Sequence, residues 1–180
     1  MTVDYFSKYF KQDGIDIPSL LNDDFIQPIR LLFQNGHYVS AAKLLFSFID
    51  SIAYIEFGDS ESVPFTAWLD TYTDLSALGI SSTELWEQRN SLLHMSNLDS
   101  RKVTAGKVKR LVFYVGQLPT TVALPEDHAK YYNLSHFLQA VITGCQGWLQ
   151  SYNTHKNKFP TFVERYDLIT SDSRMLKINL

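Results

Sequence analysis

The sequence predicts a mostly all-α protein, a multi-helix up-and-down bundle with one short extended or β element near residues 107–123. Three observations predict it. His37 to Phe57 is apolar around most of its circumference, with Ser40, Lys43, Ser47 and Asp50 forming one narrow polar stripe at spacings of three and four. A helix of that kind belongs at the centre of a bundle. A second long helical pattern covers Ala129 to Tyr152 and carries Tyr132, Phe137, Ile142 and Trp148. From Ser100 to Pro125 the helical pattern fails, and Leu111 to Val115, β-branched and aromatic, reads as a short strand or a buried extended piece.

The elements follow in order. Val3 to Gln12 is expected to form a short amphipathic helix that ends near Gly14. Leu20 to Gln34 is expected to be helical, with Asn22 or Asp23 as its cap. Pro28 within it either kinks the helix or marks its true first turn. Asn35-Gly36 stops it. The His37–Phe57 helix, about 30 Å long, is closed by Gly58, and Pro64 opens the next one, to about Leu75. Beyond Gly79, Ser81 followed by Glu84 has the capping-box pattern and starts a helix that ends near Asn97. A short helix from Thr161 to Asp167 closes the chain's regular structure. With no repeat, low-complexity tract or long linker, residues 1–180 read as a single domain, its core at about 20–155 and a C-terminal extension at 156–180.

Composition narrows the function classes. A chain of 180 residues that is 45% hydrophobic and 19% charged is not disordered, and its 14% aromatic content favours a bulky core. The net charge of −3 provides no global basic field for long nucleic acid. The single Cys145 excludes an internal disulfide and a cysteine-cluster metal site; flanked by Gly144, Gln146 and Gly147, it reads as an inert buried thiol. His128, His136 and His155 are too irregularly spaced for a metal pair, so neither metal nor cofactor is expected. Tyr131, Tyr132 and Trp148 read as core or interface aromatics. The amino terminus lacks the basic start and apolar run of a secretory leader. Lys43, Asp50 and Glu56 interrupt the longest apolar stretch, which argues against a membrane span. The expectation is a soluble cytoplasmic protein.

Arg89 is the most informative residue. On a helical wheel Leu85, Trp86, Leu92 and Leu93 cover an arc of about 120° with Arg89 near its centre, while Asn90 and His94 fall on the polar side. A guanidinium stays charged, so at such a position it needs a buried partner, an interface or a bound anion. Asp50 and Glu56 on the central helix are the candidate partners. Arg89 and His94 stand about 140° apart on an ideal helix. To act together, one must reach around, or the last turn must distort, or a second chain must complete the site.

The run Arg89-Asn90-Ser91-Leu92-Leu93-His94, late in a helix that follows a long apolar one, resembles the R-x(4–6)-H signature of the HEPN family. The resemblance covers about residues 20–97. It implies a metal-independent endoribonuclease that leaves 2′,3′-cyclic phosphate and 5′-hydroxyl ends, acting as a homodimer with two motifs across one cleft. In that reading His94 is the acid–base group, Arg89 the phosphate ligand and Asn90 the orienting polar group, with Asp50 holding Arg89. It also implies a toxin–antitoxin or defence setting, with an antitoxin or other protein as partner. Some family members carry a modifiable tyrosine two residues after the histidine; here Ser96 stands there, which leaves that control unsupported.

Arg101, Lys102, Lys107, Lys109 and Arg110 place five cations in ten positions with no acid, an arrangement suited to tracking RNA phosphates or to a solvated loop. Two other outcomes remain open at this point. One is a non-catalytic helical module of the same kind that binds a protein partner or nucleotide; the other is a structural subunit of a larger complex.

Overall fold

The computed structural model describes residues 7–12, 14–95, 98–118 and 129–170. The expectations that fall on residues 3–6, Ser96, Asn97 and His128 lie outside them. Over the described residues the chain is a helical bundle with two small two-stranded sheets. It opens on a 3₁₀ turn, Ser7–Tyr9, and a minimal antiparallel hairpin of β1 (Phe10–Lys11) and β2 (Gly14–Ile15). The helix expected through Gln12 is absent over the described part of that segment.

Asp16 caps α1 (Ile17–Leu21) by accepting from the Ser19 N–H, with Pro18 in the first turn. The chain stays helical into α2 (Gln27–Gln34), but Asn22–Ile26 between them is a π-turn. Pro28 explains the interruption. It has no N–H to give, and its ring crowds the carbonyl four residues back, so the preceding turn widens. Both Asn22 and Asp23 sit inside this run, and neither is its cap.

The central helix α3 runs Tyr38–Phe57 and ends at Gly58, whose φ of +55° suits glycine. By length and hydropathy Tyr38–Ser60 would pass for a membrane crossing. Here it is the core helix. Phe46, Phe48, Ile49, Ile52 and Ala53 are fully buried, and α2, α4 (Pro64–Tyr72), α5 (Ser82–Met95) and α8 (Lys158–Thr170) pack on it. Arg165 from α8 donates to the Ile55 and Glu56 carbonyls at 2.8 Å, satisfying the end of α3.

Aromatic rings fill the spaces between helices. Phe46 meets Phe65 of α4 and Phe137 of α7 (Leu134–Thr154). Trp148 of α7 meets Trp68, Tyr152 and Phe162. Such pairs need close helix approach, and Gly144 permits it: a Cβ there would stand 2.7 Å from the Tyr72 carbonyl oxygen and 2.9 Å from Thr73 Oγ1. Gly144→Ala is therefore expected to cost about 1–3 kcal/mol through overpacking. The check is a lower urea midpoint at unchanged m.

The extended element is present, and it pairs with residues for which the sequence predicts helix. Arg110–Tyr114 (β3) pairs in parallel with β4, Ala129–Asn133, in the register Arg110↔Ala129 to Tyr114↔Asn133. The residues expected to start the long helix are therefore a strand, and α7 begins at Leu134. Asn133 caps it, its side-chain oxygen accepting from the Ser135 and His136 N–H groups. Nothing in the composition of Ala129–Asn133 excludes a helix; the tertiary pairing decides. The region from Ser100 also holds one helical turn, α6 (Arg101–Thr104), capped by Ser100. The tail helix α8 is longer than the expected Thr161–Asp167.

Candidate functional site

The capping box holds as expected: Ser81 N–H donates to Glu84 Oε2 at 2.9 Å, and Glu84 N–H donates to Ser81 Oγ at 3.2 Å. The buried face of α5 differs from the expected one. Leu85 and Leu92 are buried, but so are Glu87, Gln88 and Ser91, while Trp86, Leu93 and Arg89 are only partly covered. Gln88, not Arg89, lies near the middle of the buried sector. It is satisfied from both sides, accepting from the Tyr132 hydroxyl at 2.8 Å and donating to the Leu111 carbonyl at 3.1 Å. The β3–β4 pair packs there, and a helical wheel that counts only apolar side chains cannot see it.

Arg89 stands at the margin of that face with its side chain 19% exposed. Its Nε donates to Asp50 Oδ2 at 2.7 Å, and Nη2 lies 2.7 Å from the same oxygen. Nη1 donates to Asn90 Oδ1 at 2.9 Å and lies 3.2 Å from His94 Nε2. Arg89 Cζ lies over the Trp86 ring, 5.0 Å from its centre, a cation–π contact. Within one chain the long arginine side chain brings Nη1 to His94 without distortion of the last turn, since α5 remains α-helical through Met95.

The electrostatics follow from that geometry. Burial pushes the Asp50 carboxyl above the ordinary carboxylate value, while the hydrogen bond and charge of Arg89, and then the charge of His94, pull it down. For Arg89 to donate to His94, Nε2 must carry a lone pair, which places the ring proton on Nδ1. The four residues thus form a connected chain, carboxylate to guanidinium to amide and imidazole. Asp50 and Trp86 hold the fork; Asn90 and the exposed His94 share one of its nitrogens. Trp86 reads in the sequence as core, but a position three residues before Arg89 puts it on the same helix face.

The other expected partner, Glu56, serves a different cluster. It accepts from Tyr72 Oη, Trp148 Nε1 and Lys158 Nζ. The basic run does not surround His94. Lys102 pairs with the buried Glu87 at 2.9 Å, and Arg110 pairs with Asp99. Lys107 and Lys109 line a cleft with Gly79, Ser81, Thr83 and Glu84 at the opposite end of α5, and Lys130 joins them there. Arg101 is exposed at the start of α6. Cys145 is buried, which pushes its thiol up to about 12. Among the described residues no group of three or more His, Cys, Asp and Glu side chains is placed to hold a metal ion.

Compared with protein families, curated proteins and solved structures, the chain matches none.

Proposed function

We propose that the chain is a HEPN-type, metal-independent endoribonuclease that works as a cytoplasmic homodimer, in a toxin or defence role. The observation that carries this reading is the convergence of Asn90 and the exposed His94 on one nitrogen of Arg89, a nitrogen that Asp50 leaves available.

The chemistry asks for little more. A phosphodiester oxygen replaces Asn90 and His94 as the acceptor at Nη1, and the planar fork stabilises the charge that builds on phosphorus. The freed Nε2 lone pair of His94 takes the ribose 2′-hydroxyl proton. The 2′-oxygen attacks phosphorus, the bond to the 5′-oxygen breaks, and that oxygen leaves with a proton supplied by the imidazole of a second copy. The products are a 2′,3′-cyclic phosphate and a 5′-hydroxyl. Incubation of the purified protein with RNA in excess chelator is expected to give those ends. Cleavage that stops with chelator, or that leaves 5′-phosphates, refutes the assignment.

A second reading has its own observation. The Arg89–Asp50 pair ties α5 to α3, as suits a clamp between these helices in a non-catalytic module that binds a protein partner or nucleotide. A protein that cleaves no RNA and copurifies with one stoichiometric partner favours it.

A further inference from the structure

We infer that the cavity where the end of α3 meets α7 and α8 binds a small carboxylate, held by the free edge of the Arg165 guanidinium and by the Tyr152 hydroxyl. The cavity shares no residue with the Arg89 cluster, so the inference stands independently of the nuclease reading.

The cavity has a volume of about 200 Å³, and Arg165 lines it with Glu56, Tyr152, Asn157, Lys158 and Thr161. Arg165 is partly buried, and its hydrogen bonds are those of Nη1 to the Ile55 and Glu56 carbonyls. The other edge of the fork, Nε with Nη2, bonds no group among the described residues. The acids near Arg165 in sequence or beside Gly58, namely Asp59, Glu61, Glu164 and Asp167, are exposed, and Arg165 forms an ion pair with none of them. Arg89 shows what the same edge does elsewhere in this chain: its Nε and Nη2 each stand 2.7 Å from Asp50 Oδ2. A guanidinium keeps its charge, and its planar fork matches a carboxylate. Gly58 makes room for it, because a Cβ there would stand 2.7 Å from Nη2 and 2.8 Å from Cζ.

Tyr152 points to the same ligand independently. Its side chain is 3% exposed, yet its hydroxyl bonds no group among the described residues, where a buried phenol ordinarily has a partner. The ring is packed by Trp148, Phe159 and Phe162 and covered by Lys158 Nζ, 4.8 Å from its centre. Burial raises the phenol above its ordinary value, Glu56 and Tyr72 raise it further, and the charge of Arg165 lowers it. The hydroxyl therefore stays a donor, within the field of the two charged groups that line the cavity with it. Lys158 does not add to the attraction, since it pairs with Glu56 at 2.6 Å. Glu56 in turn also accepts from Tyr72 and Trp148, so that pair is closed and cancels. Arg165 leaves the lining one positive charge, which a monocarboxylate neutralises and a dianion does not. The volume, below that of drug-sized sites, suits a ligand of few heavy atoms. Asn157 and Thr161 stand exposed at the rim, hydrogen-bonding groups that fit a hydroxyl or keto substituent. A small hydroxy or keto acid meets all of these groups at once.

The probes are lactate, pyruvate and acetate, added to the full chain against an equal concentration of chloride. Lactate or pyruvate is expected to raise the thermal midpoint, as a ligand of the native state does, and acetate to raise it less. Tyr152→Phe deletes an oxygen that bonds nothing in the chain, so its midpoint in chloride should equal that of wild type. Its affinity for lactate by calorimetry should fall about tenfold, as for one lost hydrogen bond to a charged group. Arg165→Lys keeps a cation near the α3 carbonyls but lacks the fork, and should lose lactate binding while remaining folded. No rise with any of the three carboxylates overturns the site, as does an equal rise in wild type and Tyr152→Phe. Tighter binding of inorganic phosphate by the same two residues overturns the ligand class. An acidic peptide with blocked ends that binds through them more tightly than lactate overturns the assignment to a small molecule in favour of a protein carboxylate.

Discussion

Replacing His94 by alanine is expected to slow RNA cleavage by about 10²–10⁴-fold, the usual contribution of a positioned acid–base group, while leaving the fold intact. The imidazole is exposed and contacts Arg89 Nη1, so the stability change should stay within about 0.5 kcal/mol. Arg89 behaves differently. Its removal strands the partly buried Asp50 carboxylate and uncovers Trp86, so Arg89→Ala should lose both activity and about 1–3 kcal/mol of stability. Arg89→Lys separates the two roles: an ammonium can still face Asp50, but it lacks the fork that spans Asp50 and a phosphate at once. Stability should largely return and cleavage should not. Single-turnover rates and urea midpoints on the same four proteins make the comparison. Equal cleavage by wild type and His94→Ala would assign the activity to another site or a contaminant.

What was legible in the sequence tracks where local chemistry decides. The capping box of α5, the Gly58 stop, the apolar circumference of α3 and the buried Cys145 each follow from a few neighbouring residues, and each is present. The β4 strand is different. Ala129–Asn133 has no strong preference of its own and becomes a strand because β3 lies beside it, a contact that crosses more than a dozen residues of chain. The burial of Gln88 and Glu87 was hidden for the same reason: their partners Tyr132, Leu111, Ser100 and Lys102 are all remote in sequence. At the candidate site the sequence singles out Arg89, Asn90 and His94 by spacing and Asp50 or Glu56 as the partner of Arg89, and the fold brings the first three together with Asp50. It gave Arg89 the wrong reason, since the residue sits at the edge of the buried face. The need for an anionic partner survives that correction, because an edge position still removes most of the water from the guanidinium.

A large stability effect outside that site is expected at Glu56, which joins four helices through one carboxylate. From α3 it accepts from Tyr72 Oη of α4 at 2.9 Å, Trp148 Nε1 of α7 at 2.8 Å and Lys158 Nζ of α8 at 2.6 Å. Its side chain is 11% exposed. Glu56→Ala leaves the Trp148 indole N–H without its acceptor and Lys158, still bonded to Ser151 Oγ, without its counter-ion, and is expected to cost about 1–3 kcal/mol. Glu56→Gln should cost less, since one oxygen still accepts, though the new amide group must face at least one donor. Burial is the largest influence on the Glu56 carboxyl and raises it, but the hydrogen bonds from Lys158, Trp148 and Tyr72 together outweigh burial and hold it below its ordinary value of 4.5. The unfolded chain therefore binds this proton more readily than the native one. The stabilisation is complete above pH 4.5 and disappears as pH falls through the lower native value. The same hydrogen bond and charge, after burial, push Tyr72 up to about 12, so the phenol stays protonated and donating throughout. Urea midpoints of wild type and Glu56→Gln should accordingly stand furthest apart near neutral pH and converge in acid, where wild-type Glu56 becomes uncharged as well. A gap that stays constant with pH would mean that packing, and not the carboxylate charge, ties these helices together.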